Sequence, residues 1–170
     1  MAEDFGIRKK GKFTLIELLM IIMLVGIVFT LIIPLRNDQI RKKRLAEAIK
    51  NIQIIAREDV KFKNDPDKGD GSYMFDHTVV KYVEATKDEN NNIIPATEKG
   101  EDLLNIKDEL FKEGDFFYFD YSVTDTTVVA VANVNFGKAG AKIYYYLPTG
   151  PWGVADDNIS KSVIDPNWLP

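Results

Sequence analysis

Few residues in this chain are able to do chemistry, and their types narrow the choices. There is one histidine, His77, and no cysteine, so neither a multi-histidine metal site nor a thiolate site can be built. Histidine catalysis would rest on His77 without an evident partner, and we read it as a strand-edge residue with no special chemistry. No Ser-His-Asp, Walker, dinucleotide or zinc spacing occurs, so an enzyme is not expected. The carboxylates remain. Asp65, Asp67 and Asp70, followed by Gly71, lie in NDPDKGDGSY (64–73) and resemble a calcium loop. Their spacing departs from the EF-hand pattern and no glutamate closes it, so a plain acidic turn competes. Asp156 and Asp157, with Asp165 nearby, form a second acidic group. The third place is Glu17, alone among apolar residues.

The element that positions Glu17 is the strongest signal in the sequence. From Phe13 to Leu35 the chain reads FTLIELLMIIMLVGIVFTLIIPL, in which Glu17 is the only ionisable group. As a helix, this run would reach about 34 Å, against a bilayer hydrocarbon core of about 30 Å. A secretory signal peptide has a shorter apolar region, about 7 to 15 residues, and a small-residue cleavage site. This run ends instead in Ile33-Pro34-Leu35-Arg36. Burial in a globular core is the other alternative, but a chain of 170 residues seldom encloses a helix that is apolar on every face. We therefore expect a membrane span. A carboxylate inside it costs on the order of 2.5 to 3.5 kcal/mol at mid-bilayer and less near the interface. Glu17 either snorkels to the headgroups or has a cationic partner from another chain.

The 170 residues suit one globular domain of ordinary size, and the charge is unevenly distributed along them. The net charge is -4, residues 1–12 sum to +2, residues 36–63 hold nine basic and four acidic side chains, and residues 64–170 hold nine and nineteen. This balance argues against a surface built to grip nucleic acid, and nucleic acid is not expected as a partner. Beyond Pro34, which should kink or locally melt the helix, Ile40, Leu45, Ile49, Ile52, Ala56 and Val60 recur at helical intervals. They predict an amphipathic helix to about Phe62 with one face on a globular domain. Arg41, Lys42, Lys43 and Arg44 provide a run that suits phospholipid headgroups, acidic neighbours or plain solvation.

The remainder reads as a β-rich head. Residues 77–86 alternate as a strand, DENNN (88–92) is a turn, and a short helix is expected over Glu101–Lys112. FFYFDYSV (116–123), TVVAVANVN (127–135) and KIYYYL (142–147) predict three strands of an antiparallel meander laid on the amphipathic helix. The fold class is therefore α+β. Strand alternation places about half of the aromatic cluster Phe116–Tyr121 and Tyr144–Tyr146 in the core. The exposed half could offer a stacking surface. Trp152 and Trp168 fall in a Gly- and Pro-punctuated tail that reads as an irregular C-terminal loop.

The stretch KKGKFTLIELLMIIMLVGIVFTLIIP resembles the N-terminus of a type IV pilin or type II secretion pseudopilin. In that family the mature chain begins with Phe, carries Glu four residues later, a glycine at mid-helix and a proline near the end of the apolar half. Phe13, Glu17, Gly26 and Pro34 stand in that register, and the match covers about 25 residues directly. The family's peptidase normally cuts after a glycine directly before the phenylalanine. Here Lys12 separates Gly11 from Phe13, and cleavage before Phe13 is the cut that keeps Glu17 in register.

The resemblance implies a leader over residues 1–12, a transmembrane and assembly helix over 13–35, and an amphipathic helix with its head over 36–170. It further implies prepilin peptidase cleavage at Gly11, Lys12 and Phe13, methylation of the Phe13 amine, and assembly through Phe13, Glu17, Gly26 and Pro34. A cationic amine beside Glu17 of a neighbouring copy, at about 4 Å and an effective dielectric near 20, gains roughly 4 kcal/mol, comparable to the cost of burying the carboxylate. The implied partners are further copies in a helical filament, minor pilins, an inner-membrane assembly platform, and lipid before assembly. The chain would be a single-pass protein of the inner membrane as precursor and part of an extracellular or periplasmic filament afterwards. Major pseudopilins of this family hold calcium in a C-terminal loop, which is why Asp156 and Asp157 are kept in view. The expected function is a pilus-like filament for adhesion or motility. A secretion pseudopilus that drives protein export is the nearest alternative, and a single-pass membrane-anchored binding protein is the alternative of another class.

Overall fold

The computed structural model describes residues 14–87, 89–90, 93–99, 103–104, 106, 110 and 117–170, with the backbone alone at 83–87 and 93–99. Gly11, Lys12, Phe13 and Phe116, and most of the helix expected over Glu101–Lys112, lie outside them. The chain divides into two compact units, Met1–Gln39 and Ile40–Pro170.

The first unit contributes the apolar part of helix α1 (Leu15–Asn64). An 18-residue window of this helix is apolar enough to cross a membrane, and none of that window is buried by the rest of the chain. Its large apolar side chains from Leu15 to Leu35 are 42–81% exposed. A kink or local melting was expected at Pro34; the helix is continuous through it, so the melting does not occur. Proline removes a single rung of the ladder, the one from its own missing N–H to the Thr30 carbonyl, and the turns on either side hold their bonds. The Thr30 hydroxyl donates to the Ile27 carbonyl at 2.8 Å, one turn back.

In the second unit the core is built between one face of α1 and one face of a sheet. Leu45, Ala48, Ile52, Ile55 and Ala56 are buried, as the three- and four-residue spacing requires. Two of the expected core positions, Ile49 and Val60, are half-buried, and Ile40 is 37% exposed because the buried face begins one turn later, at Leu45. The helix ends at Asn64, slightly beyond Phe62.

Six strands form an antiparallel sheet in the order β2-β1-β3-β4-β5-β6. They are β1 (His77–Lys87), β2 (Ile93–Lys99), β3 (Phe119–Val123), β4 (Thr127–Ala132), β5 (Lys142–Tyr146) and β6 (Trp152–Val154). The expected β3-β4-β5 meander is present. Period-two alternation puts Phe119, Tyr121, Val123, Val128, Ala130 and Ala132 in the core. The fold is α+β.

No strand was expected over Ile93–Lys99, and the limits of β3 and β4 and the form of the tail also differ from expectation. β3 begins at Phe119, although Phe117 ahead of it is buried in the same core. β4 stops at Ala132, where Asn133 turns its side chain back to accept from Asn135 N–H and caps a 3-10 turn at Val134–Phe136. The tail expected to be irregular carries β6, which pairs with β5, and a short helix α2 (Asn158–Val163). Trp152 in β6 packs on Tyr145 with ring centroids 4.6 Å apart, and Trp168 is half-buried in a terminal 3-10 turn capped by Asp165.

Candidate functional site

Glu17 sits in the first turn of α1, and its surroundings are local. Its Oε2 accepts from the Thr14 N–H and the Thr14 hydroxyl, both at 2.8 Å, while Glu17 N–H donates to Thr14 Oγ1 at 3.3 Å. This is a reciprocal capping box, in which a threonine and a glutamate three residues on satisfy the free N–H groups of a helix start. The sequence signal was the S/T-x-x-E spacing in Thr14-Leu15-Ile16-Glu17, immediately before an apolar run, and it escaped the reading above. Among the described residues Oε1 accepts no hydrogen bond.

Gly26 and Pro34 lie on the same helix without forming a constellation with Glu17. At about 3.6 residues per turn, Gly26 falls on the face opposite Glu17, roughly 13 Å further along. A side chain at Gly26 would meet nothing within 4 Å. Within one chain neither its lack of a side chain nor Glu17 Oε1 has a use.

Several of the acidic side chains hold local turns. Asp65 Oδ1 accepts from Asp67 N–H at 3.0 Å, its carbonyl accepts from the N–H groups of Lys68, Gly69 and Asp70, and Lys68 Nζ lies 4.0 Å from Oδ2. The loop folds tightly onto the end of α1. A Cβ at Gly69 would come within 2.3 Å of the Phe62 carbonyl, and Asp70 and Gly71 take left-handed φ values of 46° and 82°. Asp157 caps α2, accepting from Ser160 N–H at 2.7 Å and Ser160 Oγ at 2.8 Å, and these bonds hold its carboxyl below the usual range. Asp156 pairs with Lys161, and Asp165 accepts from Asn167 N–H at 2.9 Å. Among the described residues no three side chains of the His, Cys, Asp and Glu types converge as a metal site. Asp65, Asp157 and Asp165 are each oriented by their own turn.

The polar groups that the sequence reading missed are buried ones. Asp59 is fully buried, with Oδ1 accepting from Met74 N–H at 3.0 Å and Oδ2 without a partner among the described residues. Desolvation pushes its carboxyl up to about 6 against the pull of the Met74 bond and of Lys63. Asn51 donates to the Tyr121 hydroxyl at 3.1 Å, and burial raises that phenol above its ordinary range. Asp120, raised by desolvation, accepts from Tyr82 N–H at 2.8 Å and Asn133 Nδ2 at 3.4 Å. Arg44 of the basic run turns into the head, donating to the Phe136 carbonyl at 2.7 Å with its guanidinium 4.7 Å from the Tyr118 ring centre. Lys42 and Lys43 are exposed. His77 opens β1 opposite Val123.

A cavity of about 280 Å³ lies at the end of α1, lined by Glu58, Lys61, Phe62, Asp65, Lys68, Leu103 and Leu104. Its charges pair with one another. Lys61 lies 2.7 Å from Glu58 and Lys68 4.0 Å from Asp65. No protein-family model, curated protein or solved structure matches the chain.

Proposed function

We propose that this chain is a membrane-inserted subunit that assembles through its N-terminal helix into a pilus-like filament displaying the α+β head, for adhesion or motility. The observation that carries the reading is an apolar helix that no described part of its own chain covers, with large side chains 42–81% exposed from Leu15 to Leu35. So much apolar surface requires lipid, other copies, or first one and then the other. Glu17 favours the succession. Its capping box uses one carboxylate oxygen and leaves the other to a cation from outside the chain, and the resemblance to prepilins supplies one in the amine of Phe13 on a neighbouring copy. Gly26, where an added Cβ would meet nothing within 4 Å among the described residues, supports close approach of a neighbouring helix.

One observation favours a permanently anchored single-pass binding protein instead. The capping box gives Glu17 a purpose within a single chain. Replacing Glu17 with alanine and with glutamine separates the readings. A filament subunit loses sedimentable assemblies in both variants while staying inserted and folded, because glutamine keeps a capping acceptor but not the charge. An anchored binder is indifferent to glutamine.

A further inference from the structure

We propose that the outward face of α1 between Lys42 and Lys50 docks on the acidic end of a second copy of this chain, a head-to-tail contact that sets the stacking of heads in the filament. The inference rests on the filament reading and adds to it the surface that joins one head to the next.

The surface is defined by what the helix does not use. Arg44 is held against the head by the Phe136 carbonyl and the Tyr118 ring, which fixes the rotation of this stretch and leaves Lys42, Lys43, Ala46 and Lys50 exposed. Further along the same helix, Glu58 neutralises Arg57 at 3.1 Å and Lys61 at 2.7 Å. Lys42, Lys43 and Lys50 have no such partner among the described residues. Ala46 lies between Lys43 and Lys50 at helical spacing, and its short side chain allows close approach.

The occupant is chosen by charge. Residues 36–63 carry nine basic and four acidic side chains, whereas residues 64–170 carry nine and nineteen. Part of the complement of the basic face, Asp67 and Asp70, thus lies within the same chain but at the other end of the helix. Asp67, Asp70 and Asp76 are exposed and lack an ion-pair partner among the described residues. Asp67 and Asp70 sit in the loop that folds onto the last turn of α1 through Asp65 N–H to Phe62 O at 3.1 Å and Gly71 N–H to Lys63 O at 3.1 Å. Fourteen to twenty-one residues of helix separate Lys50 and Lys43 from Asn64, about 21 to 32 Å at 1.5 Å per residue. The two surfaces cannot meet within one molecule. Between molecules they form a heterologous contact, the kind that continues into an open helical filament rather than closing into a dimer.

The test uses the full chain and two variants. Lys42→Glu/Lys43→Glu/Lys50→Glu reverses the basic face, and Asp67→Lys/Asp70→Asn removes acidity from the loop while keeping a residue that tolerates the left-handed φ at position 70. All five side chains are exposed, so thermal melts in detergent should match wild type. We expect each variant alone to lose at least tenfold in sedimentable assemblies, the equimolar mixture to recover them, and wild-type assembly to weaken in high salt. The chain has no native cysteine, so Ala46→Cys in one copy and Ser72→Cys in another should form a disulfide on mixing. Wild-type assembly with undiminished assembly of both variants would overturn this inference and leave the filament reading standing. Failure of wild type to assemble would remove the filament reading and this inference together. Loss of binding to phosphatidylglycerol vesicles or duplex DNA in the lysine variant, with assembly unchanged, would assign the face to another occupant and overturn the proposal.

Discussion

The position of a charged residue on the helix wheel decides what it does here, more than its type. Asp59 follows Leu45, Ala48, Ile52, Ile55 and Ala56 at core spacing, so the helix carries its carboxylate inside. The fold answers with one N–H donor, from Met74. Its carboxyl, pushed up to about 6 in the fold, lies above the ordinary 3.8, so between those values the folded protein holds a proton that the unfolded chain has released. The contribution of Asp59 to stability is therefore greatest in acid and is lost as pH rises toward and through 6. We predict that Asp59→Asn, which keeps the acceptor for Met74 N–H, raises the melting temperature at pH 7.5 and gains little at pH 4.5, as read by thermal melts of the full chain in detergent. Arg44 is the converse, a cation at the edge of the core that a count of basic residues assigns to the surface. Arg44→Ala should cost about 1 to 3 kcal/mol, from the lost bond to the Phe136 carbonyl and the lost contact with Tyr118. Lys42→Ala, exposed on the other side, should cost less than about 0.5 kcal/mol. Denaturant titration of both variants checks the difference.

At the scale of elements, most of what rested on repeated spacing in the described residues was legible in the sequence. The three- and four-residue recurrence from Leu45 to Ala56 gave the buried face of α1, and the period-two runs gave β3, β4 and β5. Isolated partners were not legible. β6 has three residues and exists because β5 offers an edge on which Trp152 can pack over Tyr145. The helix α2 has six residues and depends on the Asp157 cap, which local composition made look like a cation loop. Ile40 shows the same limit from the other side, since periodicity alone extended the core face one turn too far. We predict that Ile52→Ala costs about 2 to 5 kcal/mol, as for a fully buried aliphatic residue, whereas Ile40→Ala costs less than about 1 kcal/mol. Equilibrium unfolding of the two variants in detergent would read this, and equal costs would place the start of the core face at Ile40 after all. The candidate site divides in the same way. Its span was visible because charge is absent from Leu18 to Leu35, but the capping box at Thr14 and Glu17 required attention to a four-residue pattern that the apolar run obscured.

For the whole molecule, the account joins an uncovered apolar helix to a self-contained head. The head has a buried core of its own, while the apolar helix leaves every large side chain from Leu15 to Leu35 exposed. Such a division suits a subunit that waits in lipid and then exchanges lipid for copies of itself. The most direct test is the intact mass and first residue of the protein extracted from membranes. The account predicts a chain that begins at Phe13, so that its amine lies in register to meet Glu17 of the next copy. A chain that still begins at Met1 would contradict it, leaving the helix a permanent anchor and Glu17 a cap.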